Sequence, residues 1–226
     1  MEAKRFAVQL MDDMLALSLA YRLGYEYAGP SAWRDCMASP GTARVWTPDQ
    51  VRELVDDWRS WPRYECLDGE LAVTPAPELA HQRVVGELFV LIRAYVRELD
   101  IGETFMSPAD VQLDRWAMTQ PDVFVIARDE GVRIRKWTDI RALLLAVEVI
   151  SPSSARSDRG RKRDIYQRWQ VSEYWIVDLD ARLVERWRPG DERPEILRER
   201  LEWRPDPARE PLRIELAALF AEAAGD

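Results

Sequence analysis

The alternation of apolar and polar positions divides the chain into helical and extended stretches, with no internal repeat and no low-complexity tract. Leu10, Met14, Leu17 and Tyr21 recur at helical spacing and predict a helix ending near Leu23. Gly24 to Arg44 carries Gly, Pro and Ser signals without a sustained period. Residues 1–45 therefore read as a helical extension and linker, separate from a domain over 46–226. Thr47-Pro48-Asp49-Gln50 offers an N-cap, a proline at the first helical position and a capping-box glutamine. Val51, Leu54, Val55 and Trp58 give that helix its apolar face. Tyr64 to Val73 reads as two short strands about Asp68-Gly69, ended by Pro75 and Pro77. The longest helix is predicted from Leu79 to Leu99, with Val84, Val85, Leu88, Phe89, Ile92, Tyr95, Val96 and Leu99 in a wide apolar stripe. His81, the only histidine, lies near its start.

Extended patterns then dominate. Ala109–Leu113 is short and alternating, and Gln120–Ile126 opens on Pro121-Asp122 before turning apolar. Leu143–Ile150 is an apolar strand interrupted only by Glu148. Ser153 or Ser154 can cap the next helix, which carries Lys162, Tyr166 and Trp169. Ser172–Asp178 and Leu183–Trp187 read as strands of a hairpin across Leu179 to Arg182. Past Pro189 the tail is rich in proline and charge, with one apolar segment from Leu212 to Phe220. The expected class is α+β, a mixed sheet flanked by helices.

Composition narrows the setting. A chain of 226 residues, 47% hydrophobic and with ten tryptophans, has ample material for a core. Its two cysteines, Cys36 and Cys66, have no metal-ligand spacing, which argues for a reducing compartment and against a thiolate zinc site. No apolar run approaches the ~20 residues that cross a bilayer. Asp12 and Asp13 break the apolar patch after Lys4 and Arg5, so a secretory signal is not expected and a cytoplasmic location is. Met37 is a second candidate start, which would leave the residues before it outside the native product. A net charge of −8 disfavours long-range attraction to phosphate. Arg156–Arg168 nevertheless holds six bases against Asp158 and Asp164, a local +4 on a remainder of −12.

Three positions stand out chemically. An unpaired carboxylate at Glu148, inside a buried strand, would be very costly. Asp122 stands at the mouth of another apolar strand, and two acids on adjacent strands can share one hard divalent cation. Lys162 and Tyr166, at i, i+4 spacing, face one side of the next helix, where an ammonium can offset charge on a phosphate.

Pro121-Asp122, then Glu148 in an apolar strand, then a lysine, resembles the PD-(D/E)XK nuclease superfamily. The wider wording resembles the Uma2 (DUF820) family of restriction-endonuclease-like proteins. It comprises Tyr64–Leu71, the His81–Val85 helix entry, Ser107–Val111, Gln120–Asp122, Val147–Ser153, Asp158–Gly160, Lys162, Tyr166 and Glu173–Asp178, in order. The resemblance implies a restriction-endonuclease-like core and an endonuclease hydrolysing phosphodiester bonds, with DNA as the expected partner and Mg²⁺ or Mn²⁺ as cofactor. It implies metal ligation by Asp122, Glu148 and the backbone carbonyl of Val149, and site roles for Lys162, Tyr166 and Glu70. Ile150 stands where the simplest form of the motif has its lysine, so the reading requires Lys162 to fold back toward Glu148. His81 resembles the family's helix-entry histidine, to which no role is assigned. The alternatives are a non-catalytic nucleic-acid-binding or assembly module on the same fold, and hydrolysis of RNA or a small phosphodiester. A homodimer is compatible with the resemblance.

Overall fold

The computed structural model describes residues 45–54, 63–128, 134–150, 155 and 158–225. Helix α1 (Pro48–Arg52) begins as its sequence requires. The Thr47 hydroxyl accepts from the Gln50 backbone N–H at 3.4 Å, and the Gln50 side chain accepts from the Thr47 N–H at 3.1 Å. The hairpin of β1 (Arg63–Leu67) and β2 (Glu70–Thr74) turns through Asp68 and Gly69, whose φ values of 53° and 81° are those of a type I′ turn. Helix α2 (Leu79–Leu99) leads into β3 (Gly102–Met106), β4 (Val111–Gln112), β5 (Met118–Thr119) and β6 (Val123–Ala127). After β7 (Leu143–Ile150), a π-helical turn (Asp158–Lys162) continues into α3 (Arg163–Arg168). Strands β8 (Glu173–Asp178), β9 (Leu183–Trp187), β10 (Glu195–Leu197), β11 (Arg200–Trp203) and β12 (Leu212–Glu215) precede the last helix, α4 (Leu216–Ala224).

The expected boundaries of α2, β7 and β9 are met, and the Leu212–Phe220 segment divides into a strand and a helix. Strands β3, β5, β10 and β11 were not anticipated. The expected helix before Leu23, its linker, Val55, Trp58, Ser153 and Ser154 all lie outside the described residues. No helix among the described residues is long and apolar enough to cross a membrane.

Six strands form the main sheet in the order β10-β9-β8-β7-β6-β3, antiparallel except for the parallel pair β7/β8. The π-turn and α3 make that one crossover, as a parallel pair needs. A four-stranded antiparallel sheet, β2-β1-β5-β4, and the β11/β12 pair complete the strands.

Side-chain alternation along β7 assigns two cores. Leu145, Val147 and Val149 join Val84, Leu88, Ile92 and Val96 of α2, together with Leu219 and Phe220 of α4. Ala146 and Ile150 join Ile165 and Tyr166 of α3 and Leu67 of β1. Glu148 has the parity of Ala146 and Ile150, so it points into the second core. The β6/β7 register pairs Val123 with Val147, and one further step sets Asp122 opposite Glu148. Both acids are thus delivered to one face by strand geometry alone.

The β3/β6 pair has a steric test. A Cβ on Gly102 would lie 2.2 Å from the Ile126 carbonyl oxygen, a backbone atom that cannot move aside cheaply. Gly102→Ala is expected to lower unfolding free energy by about 1–3 kcal/mol, measured by urea denaturation; an unchanged midpoint would contradict the close approach.

Candidate active site

The second core contains a cluster of charged side chains. Glu65, Asp122, Glu148, Asp158 and Lys162 are each only 1–4% exposed. Each is presented by a different piece of backbone logic. Glu65 has the parity of Leu67 on β1, opposite to Tyr64 and Cys66, which face a third small core. Its Oε1 accepts the Gln120 backbone N–H at 2.7 Å, which ties it to the segment just before Asp122. Asp158 and Lys162 stand four residues apart on the π-turn, and such turns recur where side chains must be re-aimed at functional sites.

Lys162 folds back toward Glu148. Its Nζ lies 3.1 Å from Glu148 Oε1, 3.0 Å from Glu65 Oε2 and 3.2 Å from Asp158 Oδ1. The Tyr166 hydroxyl donates to the same Glu148 Oε1 at 3.2 Å. The helical i, i+4 pair and the strand acid therefore meet at one oxygen atom.

Asp122 is held differently. Its Oδ1 accepts both terminal nitrogens of Arg63 at 3.0 Å. Its Oδ2 accepts the Val149 backbone N–H at 2.9 Å and lies 3.1 Å from Nε2 of His81. His81 is buried, and its Nδ1 has no hydrogen-bond partner among the described residues. The neutral tautomer that donates from Nε2 to the carboxylate leaves Nδ1 as a bare acceptor.

The charges have definite consequences. Burial pushes the Glu148 carboxyl up; Lys162 pulls it down, but Asp158, Asp122 and Glu65 push the same way as burial, and it ends well above the usual glutamate value. Burial works against charge on Lys162, yet Asp158, Glu148 and Glu65 overcome it and hold its pKa well above the usual lysine value. Burial also opposes ionisation of Asp122, but His81, Arg63 and the Val149 N–H outweigh it and the net shift is downward. Tyr166 is pushed well up by burial and by Glu148, so it remains a hydroxyl donor.

The structure brings together Asp122, Glu148, Lys162 and Tyr166 of the residues singled out in the sequence. It does not bring Glu70 there. That side chain is 61% exposed and pairs with Arg161 at 2.6 Å; the acid of the Tyr64–Leu71 phrase that enters the cluster is Glu65. Glu65 and Asp158 stand in phrases of the resemblance but were given no site role, and Arg63 was not singled out. The i, i+4 spacing of Asp158 and Lys162 was a readable signal for one of them, while nothing local marks Arg63.

Four carboxyl groups, those of Glu65, Asp122, Glu148 and Asp158, outnumber one ammonium and one guanidinium here. Hard oxygen donors in that number suit a divalent cation such as Mg²⁺ or Mn²⁺. Yet both oxygens of Asp122 and of Glu65 and the Oε1 of Glu148 are already engaged, and among the described residues no group of three or more His, Cys, Asp or Glu side chains is arranged to hold a metal ion. Glu65, Glu148 and Asp158 surround the Lys162 ammonium instead.

The sequence matches the family model Uma2, described as "Putative restriction endonuclease", over residues 48–217. The chain belongs to the Uma2 family. A solved structure described as a putative nuclease belonging to DUF820 from Anabaena variabilis aligns with a TM-score of 0.59 and 18% identity, covering 76% of this chain and 98% of that one. What the two share at that identity is the fold, and the α+β architecture with its mixed sheet is restriction-endonuclease-like. No curated protein matches the chain.

The buried acid of this Uma2 protein gives a stability test. An unfolded glutamate ionises near ~4.3, whereas folded Glu148 holds its proton to a higher pH. Between those two values the native state binds more protons than the unfolded one, so stability falls as pH rises. Glu148→Gln removes that slope. Its melting temperature is expected to exceed that of the wild type by a few degrees at neutral pH, with the gap closing as pH drops toward ~4.3. A variant less stable than the wild type at every pH would contradict this electrostatic account.

Proposed function

We propose that this chain is an endonuclease that hydrolyses phosphodiester bonds, in DNA, with the help of Mg²⁺ or Mn²⁺. The observation that carries the reading is the convergence of Lys162 and Tyr166 on Glu148, across from Asp122, in a buried cluster rich in carboxyl groups. Glu148, Asp122 and the Val149 carbonyl are the groups that would hold the ion. A bound ion of this kind acts as a Lewis acid and makes hydroxide available near neutral pH.

The side chains divide the remaining work. Lys162 stays protonated, so it is not the base; its charge serves to stabilise negative charge growing on the phosphate oxygens. Tyr166, likewise a donor, fixes the Glu148 carboxylate and can pass its hydrogen bond to a water or phosphate oxygen. Arg63 and His81 hold Asp122 with its Oδ2 on the Val149 amide, the strand position next to Glu148.

The arginines expected to guide the nucleic-acid backbone are engaged with acids of the protein. Arg159 binds Asp178 and Glu185, Arg161 binds Glu70, Arg163 binds Asp164, and Arg168 binds Asp68. Arg156 lies outside the described residues. Exposed pairs such as Arg161–Glu70 and Arg168–Asp68 are individually weak, so exchange of the acid for a phosphate costs little.

A non-catalytic nucleic-acid-binding or assembly module is the second reading, favoured by one observation. The two oxygens of Asp122 already accept four hydrogen bonds from three residues, Arg63, His81 and Val149, as in a structural carboxylate.

Cleavage of plasmid and linear DNA, with RNA as a parallel substrate, separates the readings. Lys162→Met is expected to lower Mg²⁺-dependent turnover by ~10²–10³-fold, and Asp122→Asn and Glu148→Gln to abolish it, with circular dichroism unchanged. Cleavage retained by all three variants, or a wild type inert toward every nucleic acid with either ion, would defeat the endonuclease reading.

A further inference from the structure

The main sheet ends on two unequal edges. Strand β10 is short, follows Pro194 and stands between Arg193 and Arg198, and its Glu195 is bound by Arg186 and Arg188. Proline, charge and shortness are the usual devices that keep an edge from pairing. Strand β3 is poorer in them. It contains no proline and one charged residue, Glu103, and among the described residues no strand pairs with its outer side. Apolar side chains flank that side on both faces of the sheet. Met106 is 36% exposed on one face; on the other Trp137, also 36% exposed, packs edge-on to Phe105 at 5.2 Å.

Hydrogen-bond parity identifies the backbone groups that face outward. The Ser107 N–H donates to the Asp122 carbonyl at 3.1 Å, and the Arg128 N–H to the Ile101 carbonyl at 2.9 Å. Carried along the β3/β6 register, these bonds make Ile101, Glu103, Phe105 and Ser107 the residues that bond inward to β6. The N–H and C=O of Gly102, Thr104 and Met106 therefore point away from the sheet, with Thr104 at their centre. This array is its own complement about a two-fold axis perpendicular to the sheet. Thr104 then meets Thr104 of a second copy, and Gly102 meets Met106, each pair exchanging two hydrogen bonds. Gly102 carries no side chain to obstruct the Met106 set beside it.

We propose that two copies of the chain associate through β3, antiparallel and centred on Thr104, so that their main sheets become one. The self-complementary order of the outward groups, with a glycine opposite a methionine, selects a second copy as the occupant. The two Glu103 side chains fall diagonally across the axis, ~7–8 Å apart, a repulsion that weakens the pairing. A five-residue strand is a small interface, so the expected dissociation constant is on the order of 1–100 μM. Because the axis is perpendicular to the sheet, both charge clusters lie on the same face of the joined sheet. Strand rise and spacing set the two Asp122 positions ~25 Å apart there. Under the nuclease reading one duplex laid across that face meets both clusters, but the association itself does not depend on that reading.

The experiment is sedimentation velocity of the full chain from about 1 to 200 μM, paired with amide hydrogen exchange resolved by NMR. The chain is expected to pass from monomer to dimer over that range. The amides of Gly102, Thr104 and Met106 should gain protection as concentration rises, while those of Glu103 and Phe105, already bonded to β6, should not. Thr104→Pro removes the central outward donor without taking a bond from β6, and is expected to weaken association by ~10-fold or more. Met106→Lys puts a charge on the edge, acts in the same direction, and replaces the proline variant if that one does not fold.

A chain that stays monomeric throughout, a dimer that the folded variants leave unchanged, or protection gained on other amides in place of these overturns the proposal. Each of those results leaves the nuclease reading intact, since cleavage is tested separately through Asp122, Glu148 and Lys162.

Discussion

One ammonium among three buried carboxylates is the constraint on which the architecture of the second core depends. An ionised acid taken out of water carries a desolvation cost of several kcal/mol, and the one Lys162 ammonium offsets part of it for Glu65, Glu148 and Asp158 at once. These groups come from a hairpin, the central strand and a helical turn. The charge cluster therefore ties the small sheet and α3 to the face of the large one, in a region where Leu67, Ile165 and Tyr166 supply the surrounding apolar contact. Removing the lysine and removing one acid are different perturbations: the first leaves several charges stranded, the second relieves an excess.

That asymmetry explains what the sequence disclosed. Glu148 was legible because a lone acid in Leu143–Ile150 breaks an otherwise apolar run, and burial made the anomaly expensive. Lys162 and Tyr166 were legible because helical spacing places them on one face, and Asp122 because its proline introduces an apolar strand. The central strand and the long helix follow from the same clear periodicities. Edge strands gave no comparable signal. β3 buries neither face cleanly, and β10 is largely exposed, so neither shows the alternation that marks a half-buried strand.

Glu65 shows where parity reasoning stops. In the β1/β2 register Leu67 pairs with Glu70 and Glu65 with Ala72, so both acids project from the same side of the hairpin. What separates them is distance from the turn. Glu70 sits next to the turn, in solvent with Arg161, while Glu65 lies two residues further along β1, where the hairpin is covered. That coverage is a tertiary fact with no local signature. Arg63 is hidden for the same reason, since its partner Asp122 is fifty-nine residues away.

The acidic net charge and the basic segment, which pull in opposite directions when the sequence is read as a string, are reconciled by pairing. The arginines of residues 159–168 are matched by Asp178, Glu185, Glu70, Asp164 and Asp68, so the segment does not present its formal charge as bare positive surface. An approaching phosphodiester would have to displace these acids one pair at a time. The pairs differ: Arg159 is fixed against two acids that are mostly buried, whereas Arg161 and Arg168 are about half exposed and readily exchanged. Both of those arginines bind acids of the β1/β2 hairpin, which also carries Glu65 into the cluster. These two pairs therefore tie the hairpin to the π-turn and to α3 on either side of the place where Glu65 reaches Lys162.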